Sequence, residues 1–281
     1  MKQNPAQIFA ICLVLLSFSV LVAAQKTVVP IVFFDDGDNP ADSTIEHGNL
    51  LGGVGNGKWL NAKTTFGKLK GTEKYSLFNF ESGKKGEYLL GEIKADSVTC
   101  FDSYYFKPQL KVTANFALGA NADWEVFPRQ PKKVSFTDAT YKKSVKDVLR
   151  LRGLPKSPAK IIQAFRVDLD GDGREEVILE ADYTAEDSNQ FPTVGTYSFI
   201  IIRKTVGGKA KNLFVDGYFM TKKDAEPGGD PSISGIADLN GDGKMEIVVK
   251  VGGYEENWLK VYEMKAGKPS EIEALSYYCG V

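Results

Sequence analysis

The chain has a single histidine, His47, and only three cysteines among its 281 residues. Zinc prefers Cys and His ligands, so this scarcity argues against a zinc centre. Any nucleophile–histidine arrangement would have to be built on His47. That residue lies between Glu46 and Gly48 and reads as a surface-loop residue, and no G-x-S-x-G nucleophile elbow occurs. Charge of one sign is lacking too. The 35 basic and 36 acidic side chains are intermixed, which is neither a nucleic-acid footprint nor a polybasic membrane patch.

Long apolar runs are confined to the N-terminus. Residues 1–24 read as a secretory signal peptide: Lys2 supplies the positive end, Ile8 to Val22 the apolar run, and Val22-Ala23-Ala24 a small-residue cleavage site. The run is short for a membrane span, no second stretch approaches membrane length, and Cys12 has no lipobox around it. The mature chain is therefore expected to be extracytoplasmic, secreted or periplasmic, without a membrane span and with a formal charge near −2. Its roughly 255 residues suffice for one large β domain or two smaller ones. Cleavage leaves Cys100 and Cys279. In an oxidising compartment an even pair is more often bonded than free, although two buried thiols stay open as the alternative.

What the sequence does have is one acidic pattern written twice: Asp168-Leu-Asp170-Gly-Asp172-Gly-Arg-Glu-Glu176 and Asp238-Leu-Asn240-Gly-Asp242-Gly-Lys-Met-Glu246. Oxygen side chains at positions 1, 3, 5 and 9 are what a hard cation needs from a short loop. Glycine at positions 4 and 6 lets the backbone curl around an ion. Position 7 donates only its carbonyl, so Arg174 and Lys244 can stand there with their charged ends in solvent. All-oxygen ligation of this kind suits Ca²⁺. An ordinary acidic turn accounts for one such segment, since Asp and Gly are common turn residues. Two with matching ligand positions and matching downstream strands point to metal loops.

The residues after the loops separate calcium families. An EF-hand needs a bidentate Glu at position 12, where this chain has Leu179 and Val249. The carboxylates fall at position 9, Glu176 and Glu246, followed by β-branched runs suited to strands. A loop of this type feeding a strand resembles the calcium loops of FG-GAP and VCBS repeats, with Glu in place of the usual Asp at position 9. The resemblance covers residues 154–281 and implies blade-like β repeats that bind calcium in a protein with a binding or surface-interaction role.

Before the loops, Val28 to Phe34, Tyr75 to Phe80, Glu87 to Ile93, Val98 to Phe106 and Trp124 to Phe127 are predicted strands. Tyr141, Val145, Val148 and Leu149 recur with helical spacing, with Thr140 as the expected cap and Gly153 and Pro155 as the stop. The segment Gly153 to Lys160 is the expected boundary between a β-rich half, residues 25–153, and the repeat pair. Each repeat reads as loop, strand, hairpin, strand. The first is longer through the polar stretch Tyr183 to Thr196. Two repeats cannot close a propeller ring alone: either the N-terminal half supplies degenerate blades or the repeats pack as a sheet or sandwich against it. The lack of loop remnants at matching intervals upstream favours the second.

Other candidates are weaker. Gly52 to Lys58 nearly matches a phosphate-binding loop, but Trp59 stands where Ser or Thr must meet Mg²⁺, so no nucleotide site is expected. Asp35, Asp36, Asp38 and Asp42 form a third acidic stretch with irregular spacing, read as a solvated turn. Trp59, Trp124, Trp258, Tyr254, Tyr277 and Tyr278 would suit a glycan- or protein-binding face, or simply packing. The sequence therefore predicts a mostly β, calcium-binding extracytoplasmic protein with one connecting helix, no catalytic residues and an unknown protein or glycan ligand. An extracellular hydrolase using Asp/Glu chemistry is the alternative.

Overall fold

A computed structural model describes residues 28–34, 44–96, 100, 103–185, 193–224, 228–253 and 255–280. The signal-peptide segment, the acidic stretch at 35–42 and Tyr254 lie outside the described residues. The fold is mostly β, built of antiparallel sheets, with no closed barrel among the described residues.

The N-terminal half supplies β1 (Val29–Phe34), β2 (Thr44–Ile45), β3 (Gly48–Gly55), β4 (Lys58–Asn61), the one-turn helix α1 (Ala62–Phe66), β5 (Lys74–Asn79), β6 (Gly83–Leu89), β7 (Lys94–Asp96), β8 (Ser103–Phe106), β9 (Leu110–Lys111) and β10 (Phe116–Gly119). Eight of these strands form one sheet, ordered β6-β5-β10-β1-β3-β8-β7, with β4 paired to β3 beside this path; β2 and β9 pair separately. Strand β1 is buried along its whole length, because both faces of the sheet are covered. Val29, Ile31 and Phe33 enter one core, and Val32 and Phe34 enter another on the opposite face.

The C-terminal half contains β11 (Lys132–Lys133), helix α2 (Ala139–Leu151), β12 (Ile161–Val167), β13 (Glu176–Tyr183), β14 (Tyr197–Val206), β15 (Lys209–Phe219), β16 (Asp230–Ala237), β17 (Glu246–Gly253), β18 (Glu256–Lys265) and β19 (Lys268–Gly280). Strands β12 to β15, edged by β11, form one antiparallel meander, and β16 to β19 form a second. Each acidic loop joins the first two strands of its meander. The last hairpins also correspond: Gly207-Gly208 and Ala266-Gly267 all have positive φ, as a two-residue type I′ connection requires.

The three large sheets meet in a single core that includes Ile31, Phe33, Phe116, Phe165, Ile178, Ile200, Ile236, Ile247, Val249 and Leu275. On its outer face the first repeat is covered by α2 through Tyr141, Val145, Val148 and Leu149 against Ala164, Leu179, Phe199 and Ile201. Those four helix positions are the ones the spacing predicts. The cap is Asp138 rather than Thr140: Thr140 N–H donates to Asp138 Oδ1 at 2.6 Å. Because β11 pairs with β12 and α2 packs on the same sheet, stretches on both sides of the expected boundary at Gly153 to Lys160 share packing.

Several strand expectations shift. Trp124 to Phe127 is irregular, and Glu87 to Ile93 gives way to β6, which ends at Leu89. The described part of Val98 to Phe106 is extended only over β8. The glycine-rich segment is a hairpin. Gly48–Gly55 is strand β3, Asn56 and Gly57 turn with φ of 53° and 68°, and Lys58 opens β4. The Gly57-Lys58 pair therefore runs into a strand, whereas a phosphate-binding loop opens a helix. Cys100 and Cys279 are joined, with Cα atoms 4.5 Å apart, tying β19 to the N-terminal half.

Candidate metal loops

The two loops fold alike because their first carboxylate caps their own backbone. In loop 1, Gly171 and Asp172 N–H groups donate to Asp168 Oδ1 and Gly173 N–H to Asp168 Oδ2. In loop 2, Asn240 and Gly241 N–H groups donate to Asp238 Oδ1 and Gly243 N–H to Asp238 Oδ2. All four loop glycines have φ between 74° and 82°, a conformation other residues rarely adopt. At position 9, Glu176 Oε2 accepts from Leu169 N–H at 2.9 Å, and Glu246 Oε2 accepts from Leu239 N–H at 2.8 Å. Position 5 also repeats. Asp172 Oδ1 accepts from Arg174 N–H and Asp242 Oδ1 from Lys244 N–H.

One segment braces both loops. The stretch read as a strand at Trp124 to Phe127 runs alongside loop 2, where Trp124 Nε1 donates to the Asp238 carbonyl and Asp238 N–H donates to the Val126 carbonyl. The Trp124 ring also covers Gly241, where an added Cβ would lie 2.8 Å from the indole. Just beyond, Arg129 donates to the carbonyl of Asp168 in loop 1 and of Gly243 in loop 2. Neither Trp124 nor Arg129 is part of the loop motif.

The loops differ in what faces them from the third strand of each meander. In loop 1 Lys204 of β14 turns inward and is 8% exposed. Its Nζ donates to Asp170 Oδ2 at 2.7 Å and to Glu176 Oε1 at 2.8 Å, and lies 3.6 Å from Asp172 Oδ2. Burial works against the ammonium, but the hydrogen bonds to Asp170 and Glu176 outweigh it and raise its pKa. Asp168, Asp170 and Glu176 each bring an oxygen within 4.8 Å of the others, and Asp170 Oδ1 is buried without a hydrogen bond. In loop 2 Asn240 Oδ1 accepts from Asp242 N–H, and Glu246, 1% exposed, accepts one hydrogen bond among the described residues, on Oε2. Burial pushes its carboxyl well above the usual range; the Leu239 N–H opposes this, and Asp238, Asp242 and Glu263 add to the rise. The three-carboxylate cluster of loop 1 is a donor set of the kind a hard cation uses. In loop 2 Asp238 and Glu246 are buried, Asn240 is half-buried and Asp242 is exposed, and no such three-carboxylate cluster forms there among the described residues.

The remaining candidates lie elsewhere. His47 Nε2 is 3.1 Å from Asn49 Oδ1, and its ring stacks on Tyr105. Trp59, Trp124, Trp258 and Tyr277 pack against the central core. Tyr278 is 48% exposed and lies over Trp258, with centroids 5.3 Å apart. A groove of about 950 Å³ is lined by Lys58, Lys68, Lys70, Lys74 and Glu73 together with apolar residues. A smaller pocket of about 190 Å³ lies between the N-terminal sheet and the second repeat, with Phe33, Asn49, Lys250 and Trp258 among its walls. No helix among the described residues is long and apolar enough to cross a membrane. No family model matches the chain, and no curated protein or solved structure matches it.

Proposed function

We propose that this is an extracytoplasmic calcium-binding β-repeat protein with a non-catalytic binding or surface-interaction role. The observation that carries the calcium reading is the equivalence of the two loops. Asp168 and Asp238, Asp172 and Asp242, and Glu176 and Glu246 make the same backbone contacts at the same turn of successive meanders. Asp170 or Asn240 completes each oxygen set, with the position-7 carbonyls of Arg174 and Lys244 as further ligands. The Cys100–Cys279 bond accords with an oxidising compartment.

The alternative, an extracellular hydrolase using Asp/Glu chemistry, makes a different demand on the clefts. Glycoside cleavage on Asp/Glu chemistry needs two carboxyl groups about 5 to 10 Å apart across a cleft. Glu73 is the one carboxylate among the described residues lining the larger groove, where lysines outnumber it, and none lines the smaller pocket. A glycan and protein-partner screen of the mature chain, run in calcium and again in EDTA, tests the role. Saturable, calcium-dependent capture is the expected result. Turnover of a polysaccharide that is lost on replacing a carboxylate would overturn it.

A further inference from the structure

The two loops occupy matched places in matched meanders, so the residue opposite the position-9 glutamate can be compared directly. In the first repeat Val177 pairs with Arg203, which sets Glu176 beside Lys204 one step along; in the second Ile247 pairs with Tyr262, which sets Glu246 beside Glu263. One register position thus carries a cation in the first repeat and an anion in the second. Lys204 does not merely pass near its loop. Its ammonium bonds to the position-3 and position-9 carboxylates together and approaches position 5. A calcium ion ligated at about 2.3 to 2.6 Å by those same oxygens would need the space this nitrogen fills. The one three-carboxylate cluster among the described residues that could hold a metal therefore already holds a positive charge. In the second loop the register sets Glu263 beside Glu246 instead.

Resting on the calcium reading above, we propose that the chain binds one calcium ion rather than two. Loop 2 takes the ion, and in loop 1 Lys204 is a tethered cation that does the ion's work. Loop 1 also shows that the position-3 and position-9 carboxylates of this loop design accept a cation. Loop 2 keeps the same capped Asp, the same position-5 turn and the same buried Glu. It presents Asn240 where Lys204 engages Asp170, and its Glu246 Oε1 accepts no hydrogen bond among the described residues, whereas Glu176 Oε1 accepts from Lys204.

Native mass spectrometry and calorimetric titration of the mature, disulfide-bonded protein with Ca²⁺ test this. The wild type should take one ion. Asp242→Ala should take none, and Asp170→Ala should still take one. Lys204→Met, which frees the loop 1 carboxylates, should take two and should be less stable than the wild type in EDTA but recover with Ca²⁺. Two ions in the wild type would overturn the proposal, as would loss of the single ion in Asp170→Ala with retention in Asp242→Ala. No ion in the folded wild type would instead overturn the calcium reading itself. If Lys204→Met fails to fold, the wild-type stoichiometry and the two loop variants still decide the matter.

Discussion

The two repeats solve the same packing problem with different covers. The first meander buries its outer face under α2, through Val145 and Leu149. The second is held at its last strand by a covalent bond to the N-terminal half, where Tyr277 O–H also points to Cys100 Sγ. Their loops diverge in the same way, one turned around Lys204 and the other with Glu263 at the matching register position. A duplicated β unit can therefore keep its loop geometry while the neutralising charge and the outer cover are exchanged.

Removing the covers separates the two solutions. The double replacement Cys100→Ser and Cys279→Ser should have the largest effect. A bond closing a loop this long is worth up to about 5 kcal/mol in the chain-entropy model, read from denaturant midpoints against the wild type. An unchanged midpoint would mean that the second repeat needs no staple. Leu149→Ala, at a position 1% exposed, should cost about 3 to 4 kcal/mol through lost burial and a cavity under the first repeat. The same denaturation series measures it, and a cost below about 1 kcal/mol would show that α2 is a dispensable cover.

The contact between the repeats gives a pH test. Glu180 of β13, 2% exposed, accepts from Ile233 N–H of β16 at 2.8 Å, and burial raises its carboxyl from 4.5 to about 7, with the Ile233 hydrogen bond opposing. Below pH 4.5 both the folded and unfolded states hold the proton, so the residue contributes no pH dependence. Between pH 4.5 and about 7 the unfolded chain ionises first, so stability falls as pH rises, by on the order of 3 kcal/mol in all. Above that window both states are ionised and the loss is complete. Glu180→Gln keeps an acceptor for Ile233 and should remove this slope. Parallel wild-type and variant stability profiles across the window, measured in EDTA, would sink the idea.

The smallest expected effect concerns the ion. Extracellular modules bind calcium at about 10⁻⁴ to 10⁻³ M, so a site at the tight end gains about 1.8 kcal/mol at roughly 2 mM Ca²⁺. Asp242→Ala should abolish the calcium-dependent rise in Tm, while Asp170→Ala should lower stability equally with and without calcium. A calcium response that survives Asp242→Ala and disappears with Asp170→Ala would reverse the comparison between the loops.

Much of this architecture is legible in the chain. The loops, the strands after them and the apolar face of α2 follow from local spacing, and the Cys100–Cys279 pairing from a count of two. The strands before the loops are harder to see. Gln163 and Arg166 interrupt β12, while Pro231, Ser232 and Gly235 interrupt β16, and each strand contains a register shift. Strand β3 hides behind its glycines, which are depleted in strands. Gly52 is required because a Cβ there would lie 2.3 Å from the Leu60 carbonyl oxygen and 2.7 Å from Leu275 Cδ2. Lys204 was concealed by distance along the chain, 28 residues beyond Glu176. Counting back from the hairpin at Gly207-Gly208 and across to β13 was the signal that would have placed it.

The bond between Cys100 and Cys279 spans 179 positions, so both meanders, α2 and both acidic loops lie within one covalent ring. A protease that cuts the backbone once anywhere inside that ring opens it without releasing a piece. Such a nicked molecule would migrate as intact on a non-reducing gel and fall into two fragments only when thiol is added. Partial digestion of this protein therefore has to be read under both conditions before any segment is judged resistant.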